Sequence, residues 1–405
     1  MTVDSKTSAG SSSPAEKGGL RLAIYLADQN LQQTKSLGIL NLSVALLQHL
    51  ARHPQIEAIH VLSNSTLVPV LGRLPEHVPV EICDGPARGK RSRIFWDQWK
   101  VYSWAKSKQA DWLLMPKGFL SFCRRPSIPT AAFVHDAMID LYRREYPAHF
   151  VGPENAYFWR SFLASIRRAD LIFTQSDFTF SEIQRVAKER ALPIPRMQKA
   201  GIGFDAPDEL DARAGLGKTR HGSLVLASTH PHKETPQAIQ FMNRWLSELR
   251  DSADEEAATN WVGSFPEALP EPVLGVRHPR LSHQAYADLQ GSVKRLVYFS
   301  RYEGFGMPPV EAVLAGAVPV YTDLPATREA MLGLGCPFER GNYDSFAAAM
   351  HAAAEVTPDM LGDWRKALLQ AHQWSRVTQT MVDAFRAIDA VKNANKEKIR
   401  TKKGS

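Results

Sequence analysis

SRYEGFGMPPVEAVLAGAVPVYTDLPATRE, residues 300–329, decides the fold of this chain. The apolar run Leu296, Val297, Tyr298 and Phe299 just before it reads as a short buried strand. Gly304 and Gly306 then permit a tight turn with open backbone N–H groups, and Pro308 and Pro309 fit the first turn of a helix, where a missing N–H costs nothing. Val318, Pro319, Val320 and Tyr321 form the next strand, so the segment reads as a βαβ unit of a parallel sheet. Two carboxylates bracket the glycine loop: Glu303 at the strand exit and Glu311 in the first helical turn. Both fold toward the crevice beyond the strands' carboxyl ends. A helix N-terminus there attracts a phosphate, and an acid in the same turn is either a helix cap or a ligand for hydroxyls of the molecule bearing that phosphate. Sugar and ribose hydroxyls suit the second role.

With seven residues between them, Glu303 and Glu311 enclose Gly304-Phe305-Gly306-Met307-Pro308, and the pattern continues through Ala315-Gly316 and Pro319-Val320 to Glu329. This resembles the signature of retaining glycosyltransferases of family 4. The resemblance implies an α/β chain of the GT-B fold, two Rossmann-like domains whose parallel sheets face a central cleft. It also implies a metal-independent transfer of a sugar from a nucleotide-diphosphate sugar.

The wider chain suits that expectation. A length of 405 residues favours two domains. Apolar residues make up 44% and charged residues 22%, as in an ordinary globular protein. A net charge of +7 and a pI near 9.2 point to an anionic partner: a nucleotide diphosphate, an anionic lipid surface or a nucleic acid, the last without any supporting motif. Cys83, Cys123 and Cys336 lack metal-ligand spacing, which reads as a reducing, cytoplasmic compartment. No run is long and apolar enough for a membrane span, and residues 1–19 read as a disordered leader. The Lys-rich residues 392–405 read as a frayed tail.

Residues 20–27 read as the first strand and 28–36 as a loop leading to Gly38, which either opens a helix or faces the donor diphosphate. A helix over 92–108 carries Phe95, Trp96, Trp99, Tyr102 and Trp104 among basic residues; this is either a core-facing stripe or an interfacial membrane surface. Residues 130–135 form a buried strand ended by His135-Asp136, and the resemblance has His135 reaching the donor sugar from across the cleft. Residues 138–150 read as a loop in which Arg143 and Arg144 are candidates to hold the acceptor. A strand end at 199–204 leads into a polar linker, 206–220, between an N-terminal domain over 20–205 and a C-terminal domain over 221–374. A helix over 375–391 resembles the family's closing helix, which returns to the N-terminal domain.

The second domain opens with a strand whose exit, Ser228 to Lys233, resembles the family's diphosphate-binding turn. Lys233 matches its lysine; Ser228 stands where an arginine is usual. The roles implied are transition-state stabilisation by Lys233, the backbone of Gly304, Phe305, Gly306 and Met307, and the helix N-terminus; ribose binding by Glu311; and donor-sugar orientation by Glu303 and His135. No metal site is expected, His230-x-His232 lacking a third ligand. The expected acceptor is a glycan or lipid-linked saccharide of cell-surface polysaccharide synthesis, on an enzyme peripheral to the cytoplasmic face of the membrane. The alternatives are a non-catalytic nucleotide- or glycan-binding subunit and a soluble disaccharide or sugar-phosphate synthase.

Overall fold

A computed structural model describes residues 18–29, 37–204, 220–249, 258–269 and 272–404. Residues 1–17 of the expected leader, 206–219 of the expected linker and 30–36 of the loop before Gly38 lie outside the described residues.

Thirteen strands are described, in two sheets whose pairings are all parallel. The first holds β1 (Leu20–Tyr25), β2 (Ile56–Ser63), β3 (Val80–Ile82), β4 (Trp112–Met115), β5 (Thr130–Val134), β6 (Leu171–Thr174) and β7 (Met197–Lys199) in the order β3-β2-β1-β4-β5-β6-β7. The second holds β8 (Ser223–Ala227), β9 (Thr259–Gly263), β10 (Val276–His278), β11 (Arg295–Tyr298), β12 (Val318–Thr322) and β13 (Cys336–Phe338) in the order β10-β9-β8-β11-β12-β13. Helices cover both faces of a parallel sheet, which explains why β4, β5, β6, β11 and β12 are buried along their whole length and read as continuous apolar runs.

Several local expectations are corrected. Residues 138–150 are not a loop but the helix Met138–Glu145 followed by a 3-10 turn; Asp140, fully buried, gathers Arg143, Arg144 and Arg185 around it, a charge density that sequence alone makes look like loop. The helix expected over 92–108 contains a π turn, Trp96–Lys100, between Lys90–Phe95 and Val101–Ser107. Strand β7 stops at Lys199, and Glu311 lies one turn inside the helix Met307–Leu314 rather than in its first turn. The tail is helical, since the helix Trp374–Gly404 continues through it.

That last helix packs on the first half of the molecule. Its Trp374 stacks on His49 at 5.1 Å, and its Phe385, fully buried, lies 5.0 Å from Trp112 and 5.2 Å from Phe173. Asp389 accepts the Trp112 indole N–H at 3.0 Å. Phe385→Ala is expected to cost about 3–5 kcal/mol, the scale of a buried aromatic truncated in a close-packed site. Chemical denaturation followed by tryptophan fluorescence reads this; a loss under ~1 kcal/mol would show that the helix contributes little to the first domain.

Candidate active site

Each sheet reverses its strand order once, between β1 and β4 and between β8 and β11. Ligands of open α/β sheets bind beyond the carboxyl ends at such reversals. Past β8 lies Lys233, at the end of a 3-10 turn, and past β11 lies Glu303. Their side chains meet: Lys233 Nζ is 2.5 Å from Glu303 Oε1. The same oxygen accepts the Tyr298 hydroxyl at 2.6 Å and the Ser300 hydroxyl at 2.7 Å, and Lys233 also donates to Tyr298 at 2.6 Å. Burial alone would raise the Glu303 carboxyl, but the Lys233 charge and these donors outweigh it and hold it below its ordinary value. Burial, then the Glu303 charge, keeps the Tyr298 phenol protonated. Sequence reasoning missed Tyr298 and Ser300 as site residues; Tyr298 looks like any other member of an apolar strand.

The loop after Glu303 is shaped by what it touches. Gly304 is buried, and a Cβ there would lie 2.1 Å from the His135 carbonyl oxygen, so only glycine lets this loop reach the other domain. Gly306 has φ +97° and caps the helix Met307–Leu314, with Thr327 filling the space a side chain would need. Phe305 is buried and Met307 opens the helix. Glu311, half-buried, is pushed up to about 7 by burial, and its charge adds to burial in raising the neighbouring Tyr286 phenol.

From the first domain, His135-Asp136 follows β5 and faces this loop. His135 Nε2 donates to the Pro116 carbonyl at 2.7 Å, and burial lowers its pKa, so the ring is neutral with its Nε2 proton already engaged. That hydrogen bond ties the exits of β4 and β5 together and fixes the ring at the edge of the cleft. Asp136 is pushed up to about 6, mainly by burial, with the Glu303 charge adding to it and the Met138 N–H opposing it.

Contacts between the domains ring the site. Ser176 and Thr179 hydroxyls donate to the Gly304 carbonyl. Glu329 accepts the Asp177 and Phe178 N–H groups that open the helix Asp177–Glu189, a carboxylate on a positive helix end. Tyr302 accepts the Ala137 N–H at 3.1 Å, Tyr142 lies 2.7 Å from His232 Nδ1, and Arg301 pairs with Glu145. Burial, then the Lys233 charge, lowers His232 to about 3, so it is neutral in this contact.

Other expected residues stand elsewhere. Arg143 and Arg144, the acceptor-side candidates, both pair with Asp140 and keep part of their side chains exposed. Ser228 ties down its own turn, accepting the His230 N–H and exchanging hydrogen bonds with Thr235. Gly38 is exposed, with nothing within 4 Å of an added Cβ, so no crowding in the described structure requires glycine there. Among the described residues no three His, Cys, Asp or Glu side chains group as a metal site, and no helix is long and apolar enough to cross a membrane.

No family model and no curated protein matches the chain. Solved structures do. The UDP-forming α,α-trehalose-phosphate synthase from Burkholderia vietnamiensis is 12% identical over 93% of this chain and 100% of its own, with TM-score 0.64. The sucrose-phosphate synthase from Thermosynechococcus elongatus is 13% identical over 92% and 100%, with TM-score 0.62. A structure described as trehalose-6-phosphate from E. coli bound with UDP-2-fluoro glucose is 9% identical over 90% and 98%, with TM-score 0.60. These likenesses show the GT-B fold, two Rossmann-like domains around a cleft.

The raised Glu311 has a consequence for stability. A folded-state pKa of about 7, above the ordinary 4.5, means the native state holds the proton. Its stabilising contribution is complete below the unfolded value and is lost as pH rises through about 7. Relative to Glu311→Gln, the native protein is expected to lose roughly 2–3 kcal/mol between pH 4.5 and pH 8. Paired denaturation curves across that range check this, and a constant difference between the two proteins would contradict it.

Proposed function

We propose that this protein is a glycosyltransferase that moves a sugar from a nucleotide-diphosphate sugar to a hydroxyl of a saccharide acceptor, with retention and without a metal. The observation that carries the reading is the Lys233–Glu303 pair at the strand reversal of the second sheet, braced by Tyr298 and Ser300 and faced by His135-Asp136. Lys233 is the cation for charge building on the departing diphosphate, and amides of the glycine loop and helix start add to it. Glu303, kept ionised, orients the donor sugar; Glu311 takes the ribose hydroxyls. The leaving phosphate accepts the acceptor's proton in a same-face attack, so no separate protein base is required.

Of the acceptor classes open from sequence, a small saccharide or sugar phosphate in solution is favoured over lipid-linked glycan, because the structural neighbours are named as trehalose-phosphate and sucrose-phosphate synthases. In this reading the enzyme draws on the nucleotide-sugar pool of the cytoplasm, the compartment that its three scattered cysteines suit. Ser228, in place of a second cation, favours one other reading: a subunit that binds the nucleotide without turning it over.

The test is thermal unfolding with uridine, guanosine, thymidine and adenosine diphosphates and their sugar conjugates. A ligand at a hundred times its Kd adds about 2.7 kcal/mol to the native state. One base is expected to raise the melting temperature, and more so with one sugar. In the same protein Glu303→Ala and Lys233→Ala are each expected to lower turnover by about tenfold or more with the fold intact. Near-native turnover in a folded variant removes that residue from the mechanism; a nucleotide shift without turnover supports the binding subunit.

A further inference from the structure

Lys233, the cation that meets Glu303, is followed by a residue in an unusual conformation. Glu234 has φ 47° and ψ 34°, in the left-handed region, where it closes the 3-10 turn Pro231–Lys233 and opens the helix Thr235–Glu248. Among the described residues three other non-glycines have positive φ: Gln109, Ala191 and Leu332. Each of these follows the end of a helix, the ordinary place for a left-handed residue, whereas Glu234 stands at the start of one. Glycine would take this backbone without strain, so a side chain kept here points to a task for the carboxylate.

That carboxylate is tied to the edge of the second sheet. The Glu234 side chain is only 11% exposed, and its Oε1 lies 2.6 Å from Arg340 Nε and 2.5 Å from Arg340 Nη2, a charge-assisted pair. Arg340 stands two residues past β13 in a braced turn, where Asn342 Nδ2 donates to Glu339 at 2.9 Å and the Glu339 N–H donates to the Ser345 hydroxyl at 2.9 Å. Upstream of Lys233 the chain is also held, since the His232 carbonyl accepts the Arg301 N–H at 2.7 Å. Lys233 therefore sits between two anchors, one on each side. Its ammonium reaches both Tyr298 and Glu303 from there.

We propose that Glu234 is a positioning residue for the transfer reaction: its ion pair with Arg340 holds residue 234 left-handed, and that conformation turns the Lys233 ammonium onto Tyr298 and Glu303. The inference deepens the glycosyltransfer reading above and rests on it for the task that Lys233 performs. Glu234 and Arg340 act through the place of that ammonium, not through contact with substrate.

Carboxyl carbon-13 NMR of the substrate-free full chain reads that placement, because the Lys233 charge and hydrogen bond hold Glu303 low against burial. Glu303→Gln identifies the resonance. In Glu234→Ala, and in the milder Glu234→Gln, the Glu303 midpoint is expected to rise by about one pH unit, an about tenfold change in acid dissociation. Removing a negative charge would by itself lower it, so a rise reports the ammonium moving away. Asp136, Tyr298 and His232 share the field of Glu303 and are the same in every variant. Glu234→Gly, which suits a left-handed backbone, is expected to raise the midpoint less than alanine does. Circular dichroism confirms that the variants fold. A midpoint unmoved or lowered in the folded variants, or displaced by glycine as far as by alanine, overturns the inference. Turnover gives the second readout: kcat is expected to fall about tenfold in Glu234→Ala and Arg340→Met with the acceptor KM within about twofold, and a native kcat beside a shifted Glu303 overturns it too. The nucleotide melting shift of the unaltered protein separates the two failures. Its absence overturns the transfer reading and this role with it, whereas its presence beside an unmoved Glu303 overturns this inference alone.

Discussion

Taking an ammonium and a carboxylate out of water costs several kcal/mol per ion, and their attraction offsets this only when the remaining lone pairs and protons also find partners. Lys233 and Glu303 meet that condition through Tyr298 and Ser300, both supplied by the few residues before Glu303. The pair therefore fastens the turn after β8 to the exit of β11, the two strands that flank the reversal of the second sheet. The shape of the crevice and the charge within it come from the same bond.

The glycine loop extends this arrangement across the cleft. Because Gly304 has no side chain, its backbone meets the β5 exit directly, and its carbonyl takes hydroxyl donors from Ser176 and Thr179. Asp136 is thereby brought close enough to Glu303 for the Glu303 charge to add to burial in raising the Asp136 carboxyl. Chemistry that draws on both domains is possible only in this closed relation, and the motif residues Gly304 and Glu329 themselves make the closing contacts.

The strand, glycine loop, helix and strand over 295–322 were legible because each signal is local and contiguous: an apolar run, glycines, prolines, a second apolar run. Lys233 was legible by its distance from a strand end. Tyr298 was not, since a strand buried on both faces gives no alternation to say which side chains face a crevice. The inward face of residues 90–108 was hidden too: five aromatics and many cations dominate the segment, and the π turn shifts the helical phase, so spacing misjudges which residues point inward. Glu234 and Arg340 lie far apart in the chain and meet only when it folds. The pairing of Arg143 and Arg144 was not legible because Asp140, which holds them, is ordinary in sequence and exceptional only in its burial.

The end of the first domain's described chain lies against the segment that opens the last helix. Phe204 pairs with Gln373 as an isolated parallel bridge, its N–H bonded to the His372 carbonyl, and the Trp374 ring occupies the space a side chain on Gly203 would need. Phe204 and Gln373 are thereby pinned to each other where the two halves of the molecule adjoin. A relative movement of the two domains that keeps this bridge would have to turn about it rather than slide past it, with the β5 exit and the glycine loop as the parts farthest from the pivot.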